Sequence, residues 1–259
     1  MQVSEPEVKA NEELQTGQCL NCGADVTGQF CSACGQSSAA TVMPFRSFLK
    51  QGVEDLFAFD FRYPRTIKAL FNPGELTANY LAGSRVPYAP PLRFAFNASI
   101  LLLIAIAFRL PESSGITTDS MAGDDLGFLA REYALVMALA QLVALPMWAF
   151  VLKMGFKQTQ PLYLSHLIFA LHYHAVVTIA VLIVVLVSFV SPIQVYGALG
   201  ILLLTLVLGP YLILALRQVY KATWLRSLLL WGVNVFAYLL LVLMFAGFFT
   251  GLAVGVSQN

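Results

Sequence analysis

Residues 163–190 read YLSHLIFALHYHAVVTIAVLIVVLVSFV, with no Asp, Glu, Lys or Arg among them. An α-helix rises about 1.5 Å per residue, so about 20 apolar residues cross a bilayer core of about 30 Å. This run is long enough to cross. A barrel strand would be only about 10 residues long and would alternate polar with apolar positions. Working outward, four more apolar runs fall within the block 92–254, at roughly 92–108, 133–152, 195–216 and 228–254. The expected fold is all-α and membrane-embedded, with five transmembrane helices. Pro146 in the second run and Gly209-Pro210 in the fourth are expected kinks, which membrane helices tolerate when neighbours satisfy the freed backbone groups.

Composition agrees. The chain is 58% hydrophobic and 11% charged, against about 25% charged in ordinary soluble proteins. Its net charge of +1 points to no strongly acidic partner. The placement of charge says more than the total. No Asp or Glu follows Glu132, and of the 15 Lys and Arg residues only Arg109 and Arg131 fall on one side of the expected spans. The rest precede the first span or lie in the second-to-third and fourth-to-fifth connections. Basic residues accumulate on the cytoplasmic side. The N-terminus is therefore expected in the cytoplasm, the C-terminus outside (periplasmic), and the chain in an inner membrane. Residues 1–18 are polar, lack a basic-then-apolar leader pattern, and read as a flexible lead-in.

Residues 19–36 read CLNCGADVTGQFCSACGQ and hold all four cysteines. Two Cys-x2-Cys pairs, Cys19/Cys22 and Cys31/Cys34, can meet as a tetrahedral four-sulfur site, a small N-terminal zinc ribbon. Gly23 and Gly35 each follow a second cysteine, where a positive φ turns backbone N–H groups toward sulfur. A disulfide pair or an iron centre is the alternative. Four thiolates leave no open coordination position, so Zn2+ here would be structural. There is no Lys or Arg between Ala10 and Phe45, so the module is electronegative and nucleic acid is excluded as its partner. A protein partner, or a purely structural role, fits.

Residues 44–91 read as cytoplasmic amphipathic juxtamembrane helices. Phe45, Phe48, Leu49, Val53, Leu56 and Phe57 recur at helical spacing, either on the membrane surface or packed under the bundle. A second helix is expected over 64–71. Asn72 is the expected N-cap of a third, with Pro73 at its first position, Glu75 completing a capping box, and Gly83 stopping it. Arg62, Arg65, Lys68, Arg85 and Arg93 cluster near the first span. They either contact anionic lipid head groups, at about 1 kcal/mol each, or only set topology.

Several of these pieces occur in a specific order: Cys-x2-Cys-Gly, Phe30-Cys31-x2-Cys34-Gly35-Gln36, Arg65-Thr66, Asn72-Pro73-Gly74, Tyr80-x2-Gly83-x-Arg85 and Tyr88. Together they resemble the bacterial membrane proteins grouped as domain of unknown function family 3667. The resemblance runs from Cys19 to about Tyr220. It implies a multi-pass membrane protein with an N-terminal cysteine knuckle, and it implies no catalytic residues. Ser84 stands where the pattern has a basic residue.

Within the spans, polar residues are few. His172 lies about 13 Å along the helix from Tyr163. A cluster of His172 or His174 with Gln141 and Asn234 is geometrically open. It reads either as a functional pocket or as helix–helix hydrogen bonding. His172 and His174 point about 160° apart on a helix, which disfavours a shared metal. No nucleophile–base pair, phosphate loop or metalloprotease helix is present. The expected function is a non-enzymatic scaffold or regulator; the alternative is a transporter of a small molecule or lipid. Gly247, Gly251 and Gly255 form a small-residue ladder that serves either packing within one subunit or a homo-oligomer seam.

Overall fold

The computed structural model describes residues 17–38, 45–54, 60–109, 144–191 and 193–236. The described part begins with two short antiparallel strands, β1 (Gly17–Gln18) and β2 (Asp25–Val26), and a bridge between Phe30 and Ser37. The other described elements are helices: α1 (Phe45–Glu54), α2 (Tyr63–Leu70), α3 (Glu75–Leu81), α4 (Pro91–Arg109), α5 (Ala144–Phe156), α6 (Tyr163–Val187), α7 (Ile193–Leu206), α8 (Leu212–Tyr220) and α9 over 224–236.

Among the described residues two helices are long and apolar enough to cross a membrane, Pro91–Phe108 and Tyr163–Val187. They match the first and third expected runs and pack along each other. The other three expected runs are not shown as spans. Of the second, only 144–152 lies among the described residues, within α5. The fourth lies in a helical run in which α7 and α8 flank a π-turn, Val207–Tyr211. Pro210 explains the turn. It has no N–H to donate and its ring crowds the carbonyl one turn back, so the hydrogen-bond ladder widens locally. The fifth begins in α9, and Gly247, Gly251 and Gly255 lie outside the described residues.

α6 organises the core. Every residue from Ser165 to Ala175 is buried. On one side Phe169 and Tyr173 join Leu152 and Phe156 of α5 and Leu212, Leu216 and Tyr220 of α8. The Phe156 and Tyr220 rings stack with centroids 4.2 Å apart. On another side Leu167, Ile168 and Leu171 pack on Ala95 of α4 and Phe48 of α1. Of the apolar side of α1, Phe48 is buried on the bundle, while Phe45 and Leu49 are exposed. α2 contributes Ala69 and Leu70 to a third cluster with Leu76, Phe94 and Ala175.

The turn between α2 and α3 departs from the expected cap. α3 starts after Gly74, whose φ of 84° places it in the left-handed region, and no side chain caps the helix. The Asn72 amide instead donates to the Glu75 carboxylate. Glycine is required there for two reasons: the left-handed backbone, and a Cβ that would sit 3.0 Å from the Ala215 carbonyl oxygen. Gly74→Ala should therefore lower the melting temperature in detergent by about 5 °C or more. Gly155→Ala is the control, because its Cβ meets only Leu230 at an ordinary 3.5 Å. Equal effects of the two would refute this account of the turn.

Candidate functional site

The cysteine module consists of two copies of one local structure. In the first, the Gly23 N–H donates to the Cys19 carbonyl and the Cys19 N–H to the Ala24 carbonyl, each at 2.8 Å. In the second, Gly35 donates to Cys31 and Cys31 to Gln36, again at 2.8 Å. Gly23 and Gly35 have φ of 74° and 73°, as the sequence pattern requires. This turn directs the N–H groups of Ala24 and Gln36 at the sulfurs of Cys22 and Cys34.

The four cysteines are free thiols, and their sulfurs all lie within 4.8 Å of one another. Cys19 and Cys34 Sγ are 3.6 Å apart, as are those of Cys22 and Cys31. A disulfide would need about 2.05 Å. A tetrahedral four-thiolate centre with bonds of about 2.3 Å has edges of about 3.8 Å, so the donor set and its spacing fit a metal ion. The Gln36 N–H holds the Cys34 thiol down at about 6. Cys22 is pushed up to about 12 by burial and by facing three other thiols, despite the Ala24 N–H. Four thiols this close resist ionising together unless a cation offsets their charge.

The module is docked on the loop between α3 and α4. Gln36 Nε2 donates to the Gly83 carbonyl at 2.8 Å, and its Oε1 accepts from the Arg85 N–H at 3.2 Å. The Ser84 hydroxyl donates to Asn21 Oδ1 at 2.9 Å, and the Asn21 side chain in turn hydrogen-bonds Cys34. Gly83, with φ 102°, approaches so closely that a Cβ would lie 2.7 Å from Leu20. The Arg85 guanidinium sits over the Tyr80 ring, 5.5 Å from its centroid. Gln36, Gly83, Arg85 and Tyr80, separate signs of resemblance in the sequence, are thus contacts across one junction. Asn21 and Ser84 were not foreseen as part of it. Only their places next to Cys22 and Gly83 could have signalled them.

Among the described residues, the histidines of α6 bond to separate neighbours. His172 Nδ1 lies 2.9 Å from Thr77 Oγ1 on α3. His174 Nε2 lies 3.0 Å from Ser99 Oγ on α4 and 3.3 Å from Thr178 Oγ1. His166 Nε2 faces the Gln160 carbonyl at 2.9 Å, so it carries the proton, and Nδ1 accepts from the Tyr220 hydroxyl at 3.0 Å. His172 and His174, two residues apart, serve different neighbours, as their helical separation requires. Asn234 lies beside the Tyr173 hydroxyl, without a hydrogen bond of full geometry. Gln141 lies outside the described residues. A cavity of about 10 Å3 borders Thr77, His172, Tyr173 and Tyr211, about the space of one water. The His172 Nε2 atom is buried there with no protein partner.

The basic cluster is also divided. Arg93 is buried, 3.1 Å from the Asp60 carboxylate. Arg62 binds both Asp60 oxygens, at 2.8 and 2.6 Å. The Arg62 guanidinium, and to a lesser extent Arg93, hold the Asp60 carboxyl below its usual range. Arg62 and Arg93 are therefore occupied within the protein, and Arg85 lies over Tyr80. Of the five, Arg65 and Lys68 are exposed.

Residues 60–103 match a family model described as Protein of unknown function (DUF3667). The cysteine module lies outside the matched segment, which covers the docking loop, Asp60, Arg93 and Ser99. No curated protein and no solved structure matches the chain.

Thr77→Val keeps shape but leaves both His172 nitrogens without a protein partner. It should cost about 1–3 kcal/mol of stability, read as a lower melting temperature in detergent. In a His172→Phe background the same substitution should cost clearly less. Additive losses would refute the pairing.

Proposed function

We propose that this chain, whose residues 60–103 carry the DUF3667 segment, is a non-enzymatic multi-pass protein of a bacterial inner membrane. In this reading five helices span the bilayer, with the N-terminus cytoplasmic and the C-terminus external. Cys19, Cys22, Cys31 and Cys34 hold a structural Zn2+, and the knuckle is a contact module of a scaffold or regulator. The observation that carries the reading is the docking of the module: it sits on the α3–α4 loop through Gln36 and Leu20, and its Phe30, 64% exposed, remains available to a protein partner.

Two features support the membrane part. Leu101, Ile104 and Phe108 of α4, Ile201 and Leu202 of α7, and Leu229 and Phe236 of α9 are exposed apolar side chains, as a lipid-facing belt requires. The skewed placement of Lys and Arg supports the orientation. Structural zinc supplies folding energy, about 10–16 kcal/mol of apparent binding at neutral pH in small modules, and the segment has only a minimal apolar core of Cys19, Val26 and Cys31. The hydrogen bonds of His166, His172 and His174 favour packing over a transport pathway, which weighs against the transporter reading.

Purified full-length protein should contain about one Zn per chain by elemental analysis, and Cys22→Ser should lose most of it. The variant should still insert in the membrane. Its residues 82–88 should exchange amide hydrogen faster, because the loop loses its docked partner. Metal-free protein with four freely alkylated thiols would sink the zinc assignment.

Topology is checked separately. A reporter active only outside the cytoplasm should signal when fused after Asn259 and stay silent when fused before Cys19. Both ends on one side would overturn the five-span arrangement.

A further inference from the structure

α2 has two unlike faces. Thr66, Ala69 and Leu70 are buried against the bundle, while Pro64, Arg65, Ile67, Lys68 and, just past the helix end, Phe71 are exposed. Phe71 is 80% exposed. Arg65 and Lys68 are three residues apart, hence neighbours on the helix surface with Cβ atoms about 5–6 Å apart. Both are close enough to address one phosphate. The nearby carboxylate of Asp60 does not neutralise them, because it is buried and bound by Arg62 and Arg93.

The position of α2 in the fold is set by its contacts. At its start, Asp60 pairs with Arg93 in the first turn of α4. At its end, the Leu70 carbonyl accepts from the Tyr211 hydroxyl at 3.0 Å, and Leu70 packs in a cluster with Ala175 of α6. α2 is therefore held beside the first turn of α4, where the first candidate span begins, with Arg65, Lys68 and Phe71 on its exposed side.

We infer that the Arg65–Lys68–Phe71 stripe of α2 is a binding site for an anionic phospholipid. Arg65 and Lys68 hold the head-group phosphate and Phe71 lies against the acyl chains. The chemistry is that of charge-assisted hydrogen bonding to phosphate combined with burial of an aromatic ring. A purely topological role for the two cations would need neither their convergence nor the neighbouring exposed ring. The inference rests on the membrane-spanning reading, and the test separates the two.

Full-length protein is purified in mild detergent and offered equal amounts of phosphatidylglycerol and phosphatidylcholine, with retained lipid counted by native mass spectrometry. The parent should retain phosphatidylglycerol preferentially. Arg65→Gln with Lys68→Gln should weaken that binding about thirty-fold without changing phosphatidylcholine retention. Phe71→Ser should weaken both lipids together. Arg65→Lys should keep most of the preference, and unchanged zinc content and melting temperature show that the variants are folded. Equal retention of the two lipids by the parent would assign the stripe to a protein partner and overturn the inference, as would an unaltered preference in the double variant. Extraction of the parent from membranes by alkaline carbonate would instead remove the spanning reading, and this inference with it.

Discussion

The first half of α6 is buried on every side, yet it carries three histidines. Each ring places polar nitrogen where water is scarce, and an unmade hydrogen bond there costs about 1–3 kcal/mol. Each histidine is bonded to a different element: His166 to Tyr220 of α8, His172 through Nδ1 to Thr77 of α3, His174 to Ser99 of α4. Apolar packing alone would let these helices slide or rotate at small cost, because it is non-directional. The hydrogen bonds pin their registers. Among the described residues the three histidines are separate anchors on one central helix, in keeping with the helix–helix hydrogen bonding that the sequence offered as one reading of His172 and His174.

α3 links that centre to the cysteine module. It is short, and it is fixed at both ends by glycine. Gly74 lets its start press against Ala215 of α8, and Gly83 lets the following loop press against Leu20 of the knuckle. In between, Thr77 meets His172, and Tyr80 carries the Arg85 guanidinium on its ring. A change in the cysteine cluster therefore has a physical route to the bundle, through Gln36 and the loop carbonyl of Gly83 to α3. That contact also gives the knuckle a fixed orientation on the body of the protein.

Charge is handled in the same economical way. Asp60 is buried and would be costly alone; Arg62, just before α2, and Arg93 of α4 share it. Breaking such a buried pair by removing one partner costs about 3–5 kcal/mol. The pair ties the start of α2 to the start of α4 and leaves Arg65 and Lys68 as the outward charges of that region.

Much was determined by sequence alone, and the reason is local. Two Cys-x2-Cys-Gly turns are short-range structures, so their glycine conformations and converging sulfurs follow from spacing. Long apolar runs with few or no charges dictate helices, and 92–108 and 163–190 appear almost as read. Pro210 disturbs its helix because the missing N–H is a property of the residue itself. Tertiary structure decided what depends on neighbours far along the chain. Nothing near Asn72 shows that Gly74 must approach Ala215, so the helix start shifts past the expected cap. Nothing near Arg93 shows that it is buried with Asp60 rather than open to lipid. The partners Thr77 and Ser99 are ordinary residues on their own helices; only the way α3 and α4 pack against α6 gives their hydroxyls to His172 and His174. Hydrogen-bond pairing across helices is set by packing distance and rotation, and neither is encoded in any one segment.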